Sequence, residues 1–328
     1  MNVTDKIKEY LRLGRLFNAE ILALIFILSY LLAATLYHVK IEIQTLIGLF
    51  IVGVLAHIWG GYNNDRLDLS VDKKARYCDH KPLVSGRVSI KTATAIEVAV
   101  LVIFIILILL ISPRVFTLLY TFCAVSLAYL YNRYNKSNMF INIVGQMYAS
   151  FVVLVGMSIV VDFDFILILS ALVMGLNGVY LNIIEADLKD FAGDVVNVPK
   201  ALGVRFDGES AENKTNFYLL NEGIKLCLFL LVLFILYLEE ADVSLMILAG
   251  VFFGFNFLVR QLMFKVLSSN REKMKPYIAA QELTSILLIS TIYIVVYPLI
   301  PIFVVVFVFL WLAVWNKFLW GTFLRPQV

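Results

Sequence analysis

The sequence predicts an all-α integral membrane protein, a polytopic bundle of nine to ten transmembrane helices. The first observation behind this fold class is composition: of 328 residues, 61% are hydrophobic and only 16% are charged. Soluble domains carry about 45 to 50% apolar and about 25% charged residues, and so little charge could not cover so much apolar surface in water. The second observation is a succession of apolar stretches of about 20 residues, the length that spans a bilayer as a helix.

Ten segments are apolar enough, and free enough of fixed charge, to cross a bilayer. They are 17–38, 41–60, 92–111, 115–131, 139–161, 163–184, 217–238, 243–259, 278–297 and 299–316. Only the stretch from Pro298 to Pro301 separates the last two, so nine spans with one broken helix remain an alternative. The whole chain, 1–328, is expected to form a single integral-membrane domain.

Positive charge is distributed unevenly between the connections, and this predicts the orientation of the chain. The N-terminal segment and the alternate connections that share its side carry 24 of the 27 lysines and arginines. Translocated short loops avoid positive charge, so the N-terminus and the long loops 61–91 and 185–216 are expected in the cytoplasm. A multi-pass protein of the cell membrane is predicted, with an even number of spans and its aqueous chemistry on the cytoplasmic side.

The first long loop begins with a stripe of oxygen-bearing side chains. Asn64, Asp68 and Asp72 recur at intervals of four residues, which places this first stripe on one face of a helix that continues out of the membrane. Like charges at that spacing repel one another, and a divalent cation would turn the repulsion into a binding site. Mg2+ prefers hard oxygen ligands, usually one or two carboxylates together with substrate phosphates and water.

The second long loop repeats the pattern with Asp187, Asp190 and Asp194, the second stripe, again on one helical face. The first stripe follows the second span and the second stripe follows the sixth span. This spacing predicts two four-helix pseudo-repeats whose acidic helix ends face a central cavity. For either stripe taken alone, an ordinary solvated helix end is an equally good interpretation.

Basic side chains between the two stripes are candidate ligands for an anion. Arg76 and Lys81 follow the first stripe, and Arg133 and Lys136 lie in the next cytoplasmic turn. Mg2+ acting with lysine and arginine commonly neutralises phosphoryl groups. Anchoring by the positive-inside rule explains these residues too, and for Arg133 it does so at least as well.

Taken in order, these motifs resemble those of the UbiA superfamily of intramembrane prenyltransferases. Residues 64–72 match the family's NxxxDxxxD motif, and residues 190–194 match its second motif, DxxxD. Residues 81–86 resemble a basic-Pro-Leu-x-Ser-Gly element, with lysine where arginine is usual. Residues 131–137 resemble the YSxxxKR element but keep only its tyrosine and lysine. After the second stripe the chain departs from the family by reaching Leu202-Gly203 sooner than is usual.

The resemblance implies Mg2+-dependent transfer of a prenyl group from a polyprenyl diphosphate to an aromatic quinone precursor or a lipid acceptor, through an allylic carbocation. The implied Mg2+ ligands are Asn64, Asp68, Asp72, Asp187, Asp190 and Asp194. The implied diphosphate ligands are Asn64, Arg76, Lys81, Lys136 and Lys200. The implied catalytic residues are Asp68, Asp72, Asp190, Asp194, Lys136 and Tyr131, with the tyrosine ring stabilising the carbocation by cation–π contact.

A polytopic transporter that binds a coupling cation at its carboxylates is the main alternative. Transporters usually place such acids near the bilayer midplane on interrupted helices, whereas the acids of both stripes lie at cytoplasmic ends. A CDP-alcohol phosphotransferase is less consistent, because its Asp-Gly-x-x-Ala-Arg element is absent from the sequence. The formal net charge of +3 gives no indication of a nucleic-acid partner. The expected partners are the two substrates and the lipid bilayer.

Overall fold

The computed structural model describes residues 3–73, 78–183, 187–189, 191, 197–208, 210–267 and 272–323. The helices are α1 (Val3–Leu13), α2 (Glu20–Leu36), α3 (Ile43–Asp72), α4 (Ile90–Ile111), α5 (Val115–Tyr134), α6 (Met139–Val144), α7 (Tyr148–Ser158), α8 (Phe165–Leu181), α9 (Asp187–Lys189), α10 (Val198–Ala201), α11 (Thr215–Leu238), α12 (Val243–Leu267), α13 (Lys275–Ser290) and α14 (Ile300–Trp320). Short 3-10 helices occur at Leu16–Asn18, Gly145–Met147, Glu272–Met274 and Thr291–Val295. Two strands, β1 (Arg205–Asp207) and β2 (Ser210–Glu212), form a hairpin.

The apolar helices form in the order that the sequence predicts, which confirms the all-α membrane fold. Within the described part of the chain, nine helices are long and apolar enough to cross a membrane. They are Leu16–Leu36, Ile43–Asp72, Ile90–Ile111, Val115–Tyr134, Met139–Ser158, Thr215–Leu238, Val243–Leu267, Pro276–Val295 and Ile300–Trp320. The shorter apolar helix α8 has 17 residues, about 26 Å at the rise of an α-helix. The prediction of nine to ten spans in an integral membrane protein is therefore confirmed.

Helix α3 is longer than a bilayer requires. Its 30 residues extend about 45 Å, against a hydrocarbon core of about 30 Å. The helix runs without a break to Asp72, so its final turns lie beyond the apolar segment and carry the first stripe on a regular helical face.

The chain divides into two compact units. The first unit comprises Met1–Arg133, Phe151–Asp162 and Val306–Val328, and the second comprises Tyr134–Ser150 and Phe163–Val305. The single-domain organisation over 1–328 stays a prediction.

Small residues set the packing of the membrane helices in the first unit. A Cβ atom at Gly53 on α3 would overlap the main chain of Ala23 on α2. On α7, a Cβ atom at Gly156 would meet the carbonyl of Phe26 and the side chain of Ser29, both on α2. Lipid provides no hydrophobic force between helices, so such close backbone approach is what stabilises their association.

An apolar cluster in the second unit holds the second long loop against the ends of the membrane helices. The buried members from the loop are Leu188, Val198, Val204 and Ala211, and those from the helices include Phe217, Met263, Phe264 and Leu267. In the hairpin, Phe206 pairs with Ala211, and the Phe206 ring packs edge-on against Phe191 at 4.7 Å between centroids. The described residues of this loop are therefore a folded part of the second unit.

Candidate functional site

The first stripe is oriented by polar contacts on another face of α3. Asn63 donates from Nδ2 to Oε1 of Glu97 on α4 at 2.8 Å, and Arg66 forms an ion pair with the same carboxylate at 2.5 Å. Asn132 on α5 donates to Oδ1 of Asn63 at 2.9 Å. Because these contacts fix the rotation of α3, the face that carries Asn64, Asp68 and Asp72 is fixed as well.

A small apolar cluster lies beneath the first stripe. It joins α1, α3, α4 and the turn that begins at Lys81, and its buried members are Leu13, Tyr62, Leu69, Leu83, Val88 and Ala93. The hydroxyl of Tyr62 donates to the carbonyl of Tyr10 on α1 at 3.0 Å. The N-terminal helix and the basic turn are thereby both held next to the end of α3.

The two carboxylates of the first stripe are buried, with Asp68 8% and Asp72 5% exposed. Asn64 donates from Nδ2 to Oδ2 of Asp68 at 3.2 Å. Asp72 accepts from Nζ of Lys81 at 2.7 Å through Oδ2 and from Sγ of Cys78 at 3.5 Å through Oδ1. A buried carboxylate needs a hydrogen-bonding partner or a counter-ion. For Asp72 the counter-ion is Lys81, which the sequence predicts to bind the diphosphate.

Arg15 and Asp65 also belong to this site, although the sequence interpretation did not include them. Arg15 donates from Nη2 to Oδ1 of Asn64 at 2.6 Å and to Oδ1 of Asp65 at 2.7 Å. Asp65 is 5% exposed and also lies 3.5 Å from Nζ of Lys81. The charge of Asp65, followed by those of Asp68 and Asp72, raises the pKa of Arg15 above its ordinary value. Asp65 is recognisable in the sequence as an acidic residue directly after Asn64, but the sequence does not indicate its contact with Arg15.

Lys81 remains protonated in this setting. Burial lowers the pKa of Lys81, but the carboxylates of Asp65 and Asp72 outweigh burial, and the net pKa is raised above its ordinary value. Two permanent cations, Arg15 and Lys81, therefore meet two buried carboxylates and one amide oxygen at the end of α3.

Asp187 is the residue of the second stripe that the structure describes. Its carboxylate is buried and accepts from Nδ2 of Asn142 at 3.0 and 3.2 Å and from the backbone N–H of Val198 at 2.7 Å. Asn182 in turn donates to Oδ1 of Asn142 at 2.7 Å. Asp187 thus links α6, the end of α8 and the start of α10. Asp190 and Asp194 lie outside the described residues.

The other predicted ligands are placed at different points of the chain. Lys200 lies on α10 with Nζ 5.1 Å from the ring centroid of Phe191. Tyr131 is half-buried on α5, and Lys136 is half-buried in the turn that follows this helix. Arg76 lies outside the described residues.

The donor atoms of the first stripe suit Mg2+. Among the residues that the structure describes, no group of three or more His, Cys, Asp or Glu side chains is arranged to hold a metal ion. The first stripe supplies two carboxylates and an amide, all hard oxygen donors on one helical face. Mg2+ commonly takes only this share from a protein and completes its shell with phosphate oxygens and water.

Membrane helices of the second unit contain a second group of ionisable residues, of which the sequence placed Glu222 and Lys225 inside a span and Arg260 outside one. Arg260 on α12 is fully buried and binds the carboxylate of Glu222 on α11 through Nε and Nη2 at 2.9 and 2.8 Å. Lys225 on α11, also fully buried, donates to Asn177 at 3.0 Å and to Ser285 at 2.7 Å. Arg260 was expected in a loop after a span ending at 259, but α12 continues to Leu267.

Comparisons with known proteins agree with this architecture. The model of the UbiA prenyltransferase family matches residues 22–285. No protein of curated function matches significantly. A digeranylgeranylglyceryl phosphate synthase structure is 20% identical, with a TM-score of 0.64 over 89% of this chain and 99% of that one.

Two archaeal structures show the same fold at similar identity. A UbiA homologue from Archaeoglobus fulgidus bound to GPP and Mg2+ is 16% identical, with a TM-score of 0.61 over 88% of this chain and 99% of its own. An apo UbiA homologue from Aeropyrum pernix K1 is 16% identical, with a TM-score of 0.62 over 84% and 98%.

Proposed function

The chain belongs to the UbiA prenyltransferase family, and we propose that it transfers a prenyl group from a polyprenyl diphosphate to an aromatic quinone precursor or a lipid acceptor. Mg2+ is the cofactor: the Archaeoglobus fulgidus homologue is bound to Mg2+ with GPP or with DMAPP. The observation that carries the proposed transfer reaction is the cluster at the end of α3, where buried carboxylates lie next to two cations.

The chain's own residues divide the work of holding the diphosphate. The proposed Mg2+ ligands are Asn64, Asp68 and Asp72 of the first stripe and Asp187, Asp190 and Asp194 of the second. The proposed direct diphosphate ligands are Asn64, Arg76, Lys81, Lys136 and Lys200. Bound Mg2+ supplies positive charge that stabilises the departing diphosphate.

Protein side chains do the rest of the chemistry. Lys81 is protonated and partly exposed, so it can neutralise phosphate oxygens as the allylic C–O bond breaks. The Tyr131 ring is proposed to stabilise the allylic carbocation, a contact worth about 1 to 2 kcal/mol when water is excluded. Both long loops are proposed to face the cytoplasm, which places diphosphate binding on that side.

Incubation of the purified protein with Mg2+, labelled prenyl diphosphates of several lengths, and a panel of aromatic and lipid acceptors tests this proposal. A prenylated product is expected that disappears when EDTA removes the cation. Asp68→Asn and Asp190→Asn are each expected to lower kcat by about a hundredfold or more, as loss of a charge-stabilising group does.

Asp79→Asn is the matched control, because Asp79 is an exposed carboxylate in the same loop. It should keep turnover close to that of the wild type. Turnover of Asp68→Asn and Asp190→Asn within a few-fold of the wild type would contradict the proposed Mg2+ site.

A further inference from the structure

Two of the oxygen atoms that the first stripe offers to Mg2+ already accept hydrogen bonds from cationic side chains. Oδ1 of Asn64 accepts from Arg15 at 2.6 Å, and Oδ2 of Asp72 accepts from Lys81 at 2.7 Å. Each hydrogen bond uses one lone pair of its oxygen and holds a positive charge within hydrogen-bonding distance of it. Mg2+ that binds these two atoms is therefore repelled by Arg15 and Lys81 unless the two side chains move away.

Arg15 is held at this position by more than its side-chain contacts. Its backbone is left-handed, with φ 49 and ψ 38, a conformation that is uncommon for any residue except glycine and that needs support from its surroundings. The backbone N–H of Arg15 donates to the carbonyl of Arg12, and the carbonyl of Arg15 accepts from the N–H of Asn18, each at 3.0 Å. Arg87 fixes α1 through an ion pair with Glu9 at 3.1 Å. The surrounding structure thus keeps Arg15 at the end of α3.

Asp65 connects the two cations. Its Oδ1 lies 2.7 Å from Nη2 of Arg15 and 3.5 Å from Nζ of Lys81, and it is not one of the proposed Mg2+ ligands. Both cations can therefore leave Asn64 and Asp72 and still remain beside the site. The side chain of Arg15 is 39% exposed and that of Lys81 is 23% exposed, so each has access to an incoming anion.

We propose that Arg15 and Lys81 are exchangeable counter-cations of the first stripe, which release Asn64 and Asp72 to Mg2+ when a diphosphate accepts their charge. Asp65 is the positioning residue that retains both cations during the exchange. The inference rests on the proposed function, because it takes Mg2+ and diphosphate as the ligands. It assigns to Arg15 a role in substrate binding that neither the sequence motifs nor the rule of positive-inside charge indicates.

The exchange couples the two ligands. Without diphosphate, Mg2+ must bind against the positive charges of Arg15 and Lys81 or displace them from the first stripe, which weakens its binding. With diphosphate, the displaced cations gain phosphate oxygens instead. By linkage, each ligand must strengthen the binding of the other by the same factor. Removal of one cation should therefore strengthen the binding of the metal ion alone and weaken the binding of diphosphate.

Arg15→Gln tests this in the purified full-length protein, with Mn2+ as a paramagnetic probe for the metal site and labelled inorganic pyrophosphate as the probe for the anion site. Mn2+ measured alone should bind about five- to tenfold more tightly than to the wild type, because a competing charge is gone. Pyrophosphate at saturating Mn2+ should bind about tenfold more weakly, because a charge-assisted contact is lost.

Two further variants make the result specific. Arg15→Lys keeps the charge and should restore wild-type behaviour for both probes in large part. Lys91→Gln removes an exposed charge from the same side of the first unit and should change either affinity less than twofold. If Arg15→Gln fails to fold, the same two changes are expected for Lys81→Gln: tighter binding of Mn2+ alone and weaker binding of pyrophosphate.

The possible outcomes separate this inference from the proposed function. If Asp68→Asn abolishes Mn2+ binding while Arg15→Gln binds Mn2+ no more tightly than the wild type, the exchange is wrong and the proposed function stands. A parallel loss of affinity for both probes in Arg15→Gln would also overturn it, since that is the signature of a structural role. If the wild type binds neither Mn2+ nor pyrophosphate, the proposed function fails and the exchange fails with it.

Discussion

Two carboxylates compete for the ammonium group of Lys81. Its Nζ lies 2.7 Å from Oδ2 of Asp72 and 3.5 Å from Oδ1 of Asp65. A lysine is a compact point charge with rotatable donors, so it can exchange partners with little change in its position. The same side chain can therefore compensate the first stripe and bind a phosphate group.

Lys81→Ala is expected to lower kcat/KM for the prenyl diphosphate by roughly tenfold to a hundredfold, since a lost charge-assisted contact costs about 1.5 to 3 kcal/mol. Lys81→Arg should preserve much of the activity if charge neutralisation is what the site needs. The KM for the acceptor should change much less. Steady-state kinetics normalised to folded protein measure all three quantities.

Lys91→Ala serves as the control for loss of one positive charge at this side of the membrane. If Lys81 were only a topological anchor, Lys81→Ala would reduce the amount of inserted protein and leave turnover per folded molecule intact. Unchanged turnover in both Lys81→Ala and Lys136→Ala would exclude direct contact of these lysines with the diphosphate.

The sequence predicted the residues of this site that follow a local rule and missed those that do not. A four-residue repeat is enough to place Asn64, Asp68 and Asp72 on one helical face. Arg15 lies about 50 positions earlier in the chain, and a left-handed backbone brings it to Asp65. Neither the contact nor that conformation has a local sequence signal, since the residue is an arginine and not a glycine.

Helix α12 shows why the sequence predicts one of the membrane spans too short. A fixed charge in an apolar run is ordinarily the end of a span, because burial of an unpaired guanidinium is costly. Arg260 is buried within α12 because Glu222 on α11 binds it through two hydrogen bonds and Asn256 accepts a third. The compensating carboxylate is 38 residues away, so hydropathy along the chain cannot reveal it.

Removal of one partner of the Arg260–Glu222 ion pair should lower the stability of the protein far more than removal of both. Arg260→Met leaves the carboxylate of Glu222 without its counter-ion and should lower the free energy of unfolding by about 3 to 5 kcal/mol. The double variant Arg260→Met, Glu222→Met should be substantially more stable than the sum of the single effects predicts. Reversible unfolding in detergent micelles measures both.

Lys265→Met is the matched control for Arg260→Met, because Lys265 lies on the same helix but is exposed. It should change stability by less than about 1 kcal/mol. Strictly additive effects of Arg260→Met and Glu222→Met would show that the ion pair contributes no coupling energy.

For the whole molecule, the order and type of the membrane helices were predictable, because a bilayer fixes both the length and the composition of any span. The side on which each loop lies depends on a further question, whether α8 crosses. Its 17 residues are about 4 Å short of the hydrocarbon core, a mismatch that local thinning of the bilayer can accommodate. The charge distribution favours crossing, since otherwise the basic loop that follows α8 would be exported.

Single cysteines labelled with a membrane-impermeant maleimide on intact cells test this topology, with the wild-type protein as the control for its native thiols. Lys40→Cys, in an exposed turn after the first span, should react from outside. Lys73→Cys, Asp207→Cys and Phe323→Cys, which are also exposed, should react only after the membrane is permeabilised. External reaction of Asp207→Cys would show that α8 does not cross. If Phe323→Cys reacted from outside while Asp207→Cys did not, the last two apolar segments would together cross the membrane only once, and the chain would span it nine times.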